Sequence, residues 1–290
     1  AAAVACLAAP AGATSFGLTE LEVSSSAKDG SPAVQAGSHP FVLTTHISVQ
    51  TEEVPPGSGE QFPVQEPKDV RISFPPGLVG KPTAVPRCTA AQFLAGQLGE
   101  CPDATAIGTA RIEFGAPEST FTEAPVYNLE PSPGSLIKLG FIAEGVAPVT
   151  ISAGLSPNPP YNPVVTSANI SQGVIFRSAT VKVWGVPAAH SHDEERGDCL
   201  NKGKACSVSI PEIPFLTLPT SCESPLAFGF EADSWQQPSP PGAPYPFGET
   251  VTADDGASPP NPLSPSGCAK LQFAPTIGAQ PTARAASSPT

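Results

Sequence analysis

The chain has 290 residues, 14% of them charged and 40% hydrophobic, with 38 prolines and a formal net charge of −12. That proline load argues against long helices, because proline removes a backbone donor and clashes with the preceding turn. The balance of 26 acidic to 14 basic residues argues against nucleic acid as a partner, since such a surface repels phosphate backbones. Disorder is the other reading of so much Pro and Gly. The apolar residues fall in periodic runs, however, so a folded β protein with long proline-rich connections is expected.

Residues 1–13 (AAAVACLAAPAGA) form an apolar run of small residues ending in Ala11-Gly12-Ala13. They read as the remnant of a secretory signal with its cleavage site, lacking the basic start. Cys6 has Ala3 where a lipobox would place Leu, so it reads as a signal-peptide cysteine rather than a lipid anchor. No other segment has the ~20 apolar residues a membrane span needs.

Residues 14–37 are a linker or an early strand around Leu18, Leu21 and Val23. Residues 41–50 (FVLTTHISVQ) alternate: Phe41, Leu43, Ile47 and Val49 share one face, and His46 lies on the polar one. A second strand is expected at 68–74, with Val70, Ile72 and Phe74 inward, stopped by Pro75-Pro76-Gly77. Thr89 and Gln92 fit a capping box, which predicts one short helix over 89–95 ended by Gly96. Strands follow at 107–114 and 125–129. Residues 136–144 and 146–156 predict a hairpin turning at Glu144-Gly145.

Residues 164–170 and 175–184 also alternate, on either side of a Gly-containing turn, and predict a second antiparallel hairpin. In that hairpin Ala168, Ala179, Val181 and Val183 are expected to be buried, with Thr166, Ser178 and Lys182 more exposed. Residues 211–219 are extended, 226–232 alternate with Leu226, Phe228 and Phe230 on one face, and 238–265 read as a long loop. The expected architecture is all-β: an antiparallel β-sandwich over 38–235, with long proline-rich loops and one short helix. A disulfide-tied proline-rich segment follows over 236–278, and 279–290 is a linker to a further module.

Apart from Cys6 there are six cysteines, Cys88, Cys101, Cys199, Cys206, Cys222 and Cys268. An even count after an export signal points to disulfides, and sequential pairing would close three loops outside the strands. Zinc is the rival, weakened by the absence of any C-x-x-C pair.

The chemistry-bearing residues concentrate at 190–195. His190, His192 and Asp193 are the candidate metal ligands, because His-x-His on an extended segment puts two imidazoles on one side. The competing reading, and the expectation, is a solvated acidic surface loop in which replacing His190 and His192 by Ala changes stability by no more than about 0.5 kcal/mol. Asp254-Asp255-Gly256 lacks the alternating oxygen ligands of a calcium loop and reads as a solvated turn. No G-x-S-x-G elbow is present, while two distant carboxylates, as in a glycosidase, need no local motif. Trp184, Trp235, Tyr127, Tyr161 and Tyr245 are the aromatics that could stack on sugar, with core packing the default for Trp184.

The phrases at 74–93 (FPPGLVGKPTAVPRCTAAQF), 101–114 (CPDATAIGTARIEF), 125–134 (PVYNLEPSPG), 168–173 (ANISQG), 184–197 (WGVPAAHSHDEERG), 214–222 (PFLTLPTSC) and 232–236 (ADSWQ) occur together. In that combination the chain resembles a group of large, uncharacterised, secreted multi-module proteins of high-GC actinobacteria. The resemblance covers most of 38–290. It implies export, a multi-module parent and a β-rich fold, and it carries no activity over. The function expected is an extracellular or cell-surface structural or adhesive β-module without catalysis or cofactor. Its partners would be cell-wall or surface glycans, or other surface proteins. The alternatives are a carbohydrate-binding module and a secreted hydrolase, metal-dependent or glycoside.

Overall fold

The structure, a computed structural model, describes residues 16–95, 99–115, 120–133, 135–143 and 145–271. The signal-like run with Cys6, the helix stop at Gly96, the turn residue Glu144 and the linker at 279–290 lie outside the described residues. In chain order the strands are β1 (Leu18–Ser26), β2 (Val42–Val49), β3 (Thr51–Glu53), β4 (Gln61–Pro63), β5 (Pro67–Ser73) and β6 (Val79–Gly80). After helix α1 (Ala90–Phe93) come β7 (Ala106–Phe114), β8 (Thr120–Leu129), β9 (Ile137–Ala143), β10 (Ala147–Leu155), β11 (Pro163–Ser167) and β12 (Phe176–Trp184). The last three are β13 (Leu216–Thr217), β14 (Ala227–Ser234) and β15 (Phe247–Thr252).

Eleven of these strands form one sheet, in the order β1-β2-β12-β7-β8-β9-β10-β11-β5-β14-β15. All of its pairings are antiparallel. A sheet this wide twists and curls, and here β1 and β15 come together, with Gly17 against the Phe247 ring. The result is a nearly closed sheet, intermediate between sandwich and barrel. It takes in β1 before residue 38 and β15 after residue 235.

Alternation decides the inside. Leu43, Ile47 and Val49 of β2, Val70 of β5, Ile107 and Ile112 of β7, and Phe228, Phe230 and Ala232 of β14 are buried in one apolar core. A second, smaller core lies on the outer face. Phe93 of α1 packs there with Cys88, Cys101, Tyr127, Leu129, Ile142 and Trp184. The capping box that starts α1 is present: Gln92 N donates to Thr89 Oγ1 at 3.2 Å, and Thr89 N donates to Gln92 Oε1 at 3.1 Å. Gly140 on β9 makes room for the helix, since a Cβ there would lie 2.8 Å from Phe93 Cζ. All three sequential disulfides, Cys88–Cys101, Cys199–Cys206 and Cys222–Cys268, are formed.

The hairpin expected at 136–156 forms, with Ala143 opposite Ala147 and Ile137 opposite Ala153. The hairpin expected from 164–170 and 175–184 does not. β11 pairs with β10 and β5, β12 pairs with β2 and β7, and β7 to β10 stand between them in the sheet. Period-two alternation fixes which side chains share a face and leaves the neighbouring strand unspecified. Ala168 falls beyond the end of β11 and is exposed, while Ser178, expected outside, is buried at 5% exposure. Ala179 is buried as expected, Val181 and Val183 are half-buried, and Lys182 is exposed.

Two further differences concern proline. β8 begins before Pro125, which is tolerated because Pro125 faces only Thr109 of β7; β9 covers β8 only at Tyr127–Leu129. The supposed loop over 238–265 contains β15, which pairs with β14 along six residues from Ala227↔Thr252 to Ala232↔Phe247. Flanking prolines hide that strand.

The sheet leaves little tolerance where β7 pairs with β12. A Cβ on Gly108 would lie 1.9 Å from the Lys182 backbone oxygen, whereas Gly154 on β10 has nothing within 4 Å. Gly108→Ala should therefore destabilise by at least about 2 kcal/mol. Gly154→Ala should stay within about 0.5 kcal/mol of wild type. Denaturant unfolding of the two variants measures both.

Candidate functional site

The segment that follows β12 holds the candidate metal ligands and was expected to be a solvated surface loop; the structure folds it inward. Gly185 lets the chain pass close against the Pro40 backbone, since a Cβ there would be 1.8 Å from the Pro40 backbone oxygen. Residues 190–192 then form a 3₁₀ turn instead of an extended surface loop. That turn breaks the His-x-His geometry: His190 points out and is exposed, while His192 turns in and is 1% exposed.

The His192 ring lies between two aromatic rings, Phe41 and Trp184, with both centroid separations at 4.4 Å and interplanar angles of 23° and 14°. Burial, seconded by the Arg196 charge, pushes its pKa down to about 4. Hydrogen bonding agrees, because Nδ1 is buried without a partner. A neutral ring can leave that nitrogen as a bare acceptor, whereas an imidazolium would bury an unpaired N–H there.

Arg196 is fully buried. Its Nη1 donates to the Pro187 carbonyl at 2.6 Å, and its Nη2 donates to the Ala189 carbonyl at 3.0 Å and to Asp193 Oδ1 at 3.1 Å. Burial would raise the Asp193 pKa, but hydrogen bonds from Ser207, His190 and Arg196 outweigh it and hold the carboxyl below its usual range. Ser207 Oγ donates at 2.6 Å, and His190 Nδ1 lies 3.0 Å from the same Oδ2. The Asp193 carbonyl accepts from Cys206 N, which fastens the Cys199–Cys206 loop to the turn.

The knot also holds the other disulfide loop. Asp103, just after Cys101, accepts from Asp198 N at 2.9 Å. Gly197 has φ +48, and a Cβ there would strike Asp103 Oδ1, so the contact depends on glycine. Tyr127 is sealed beneath; burial first, then the Asp198 and Asp103 carboxylates, raise its pKa.

The three sequence-predicted metal ligands are thus divided. His190 and Asp193 meet, His192 is stacked between rings, and no group of three His, Cys, Asp or Glu suited to a metal occurs among the described residues. The 254–256 segment is a turn built on its own carboxylates. Asp254 Oδ1 accepts from Gly256 N, and Asp255 accepts from Ala257 N and from both nitrogens of Asn261. Those bonds, the Asn261 N–H foremost, bring Asp255 down to about 2. Among the aromatics, Trp184 and Tyr127 are buried, and the Trp235 indole donates to the Ile170 carbonyl at 2.8 Å. Tyr161 alone of these five is largely open, at 58% exposure.

Sequence reasoning missed Arg196 as the centre of the cluster, although a lone Arg inside an acidic run is the signal that could have found it. It also missed a cavity inside the sheet, about 110 Å³ in volume and lined by Ile47, Phe141, Ile151, Val165 and Val181 among others. Residues of seven separate strands, β2, β5, β7 and β9 to β12, make it, and no local motif marks it. No helix among the described residues is long and apolar enough to cross a membrane. No known family, curated protein or solved structure matches the chain.

Removing one partner of a buried charge pair leaves the other uncompensated, so Arg196→Met and Asp193→Asn should each cost about 3–5 kcal/mol. His190→Ala, at an exposed position, should cost no more than about 0.5 kcal/mol. Unfolding curves of the three variants test this ordering.

The His192 shift sets a pH dependence. Its folded pKa of about 4 lies below the unfolded value of 6.5, so between these the unfolded chain binds more protons. This contribution to stability is complete above pH 6.5 and is lost as pH falls toward 4, up to about 3 kcal/mol in all. His192→Phe keeps the ring stack and should flatten that part of the stability–pH curve, read by thermal melts across the interval. Chelator should leave the melting temperature of the parent unchanged.

Proposed function

We propose that the chain is a non-catalytic β-module of a secreted or cell-surface protein, acting as a rigid structural or adhesive unit. One observation carries the reading: the side chains with the richest chemistry are spent on scaffold. Asp193, His192 and Arg196 hold the chain to itself around a disulfide loop, leaving His190 as the exposed member. Three disulfides suit an oxidising environment, and the resemblance to exported multi-module proteins points the same way.

The disulfides close loops of 13, 7 and 46 residues. By the chain-entropy relation these contribute roughly 3, 2 and 4 kcal/mol, together comparable with the whole stability of a typical domain. A unit so stapled resists unfolding outside the cell, where no chaperone restores it.

Two measurements test the reading. The oxidised protein should show no thiol titre from the six paired cysteines and should lose its cooperative thermal transition on reduction. It should sediment saturably with cell-envelope fragments and turn over none of a panel of polysaccharides and esters. Turnover that a single carboxylate substitution abolishes would replace this reading with that of a hydrolase.

A further inference from the structure

The interior of the sheet is filled unevenly. Toward the end that carries the disulfide loops, Ile107, Leu218, Leu226 and Phe228 are packed almost without exposure. At the other end, the inward-facing Ile72, Val149, Ile151, Val165 and Val181 stay half-buried around the 110 Å³ cavity. The wall is incomplete there. β9 is paired to β8 only through Tyr127–Leu129, and β10 is paired to β11 only from Ile151 onward. Among the described residues, the tip of the β9–β10 hairpin therefore has a strand ladder on neither flank. Val146 at that tip is 71% exposed.

We infer that this cavity is a binding site for the end of a single hydrocarbon chain whose polar head stays at the mouth. The lining is aliphatic and aromatic save for Ser167 and Ser171, and Ser171 is exposed. A sugar cannot be the occupant, because its hydroxyls would be buried with no partners. The volume decides between apolar ligands. It falls well below the ~300 Å³ at which drug-sized pockets begin, and near the ~150 Å³ apolar cavity that stays dry and admits one benzene. Polycyclic molecules are too large. A linear chain fits the narrow interior, and the two serine hydroxyls suit a hydrogen-bond-accepting head such as an ester, alcohol or carboxyl. An empty cavity weakens a core in proportion to its volume, so an occupant restores lost contacts without any new polar machinery.

The test is calorimetric titration of the full oxidised protein with hexanoate, octanoate and decanoate. Saturable binding that tightens roughly fourfold per added methylene is expected until the cavity is full. Val165→Phe and Ala147→Phe, which fill the cavity, should each weaken decanoate at least about tenfold without lowering the melting temperature. The terminal methyl of bound decanoate should show intermolecular NOEs to the methyl groups of Ile151 and Val181 in the wild type, which keeps the test decisive if a variant fails to fold. Co-sedimentation with phosphatidylcholine vesicles would identify a membrane lipid as the source of the chain. Its absence beside decanoate binding would identify a free one. No saturable binding to wild type, binding indifferent to both fillings, or NOEs confined to surface residues would overturn the inference.

Discussion

The buried pair of Asp193 and Arg196 is the constraint around which the outer half of the molecule is arranged. A guanidinium with no exposed surface is tolerable only when its donors are met. Arg196 meets that demand through its two Nη atoms, with two backbone carbonyls, from Pro187 and Ala189, and one carboxylate, while its Nε is buried without a hydrogen-bond partner. Satisfying it forces residues 187–196 to wrap around the guanidinium, and the wrap carries His192 onto Trp184. Asp193 then recruits Ser207 and, through its carbonyl, Cys206. The outer core under Trp184 and Tyr127 is closed by these contacts, with Asp103 and the Cys88–Cys101 loop completing the cover.

The molecule is consequently asymmetric along its strands. At one end, three disulfides, a helix and the polar knot cover the sheet and seal it. At the other, the β9–β10 hairpin extends past its neighbours' ladders and the interior remains partly unfilled. Both features follow from the same sheet. Eleven strands curled until β1 meets β15 enclose more space than the aliphatic side chains of Ala143, Ala147 and Ala179 can fill at the open end. Larger residues, Phe228 and Phe230, occupy the sealed side.

Much of this was legible in the sequence, and the part that was not has physical reasons. Alternation at 41–50, 68–74 and 226–232 placed Leu43, Ile47, Val49, Val70, Leu226, Phe228 and Phe230 in the core, because a half-buried strand must segregate its faces, while Phe41, grouped with them, stacks on His192 instead. Thr89 and Gln92 announced α1 through a local hydrogen-bond pattern. The sequential disulfides formed, although the Cys222–Cys268 loop encloses β14 and β15 instead of lying outside the strands. Pairing was not legible: the short connection between residues 167 and 176 imitates a hairpin, yet it spans the mouth between opposite walls. β15 was hidden because FGETVT sits between prolines and carries only two apolar residues. His192 was misplaced because the His-x-His argument assumed an extended backbone, and a buried arginine four residues on demanded a 3₁₀ turn instead.

The cluster after β12 buries His192, Asp193 and Arg196 away from water. The most direct measurement is an NMR titration of the His192 ring in the native, oxidised protein. Neutral-imidazole shifts are expected from neutral pH down to about 4, with the Phe41 and Trp184 ring-current shifts intact. A His192 midpoint near 6.5, the value of a solvated imidazole, would contradict that burial and return the segment to the surface.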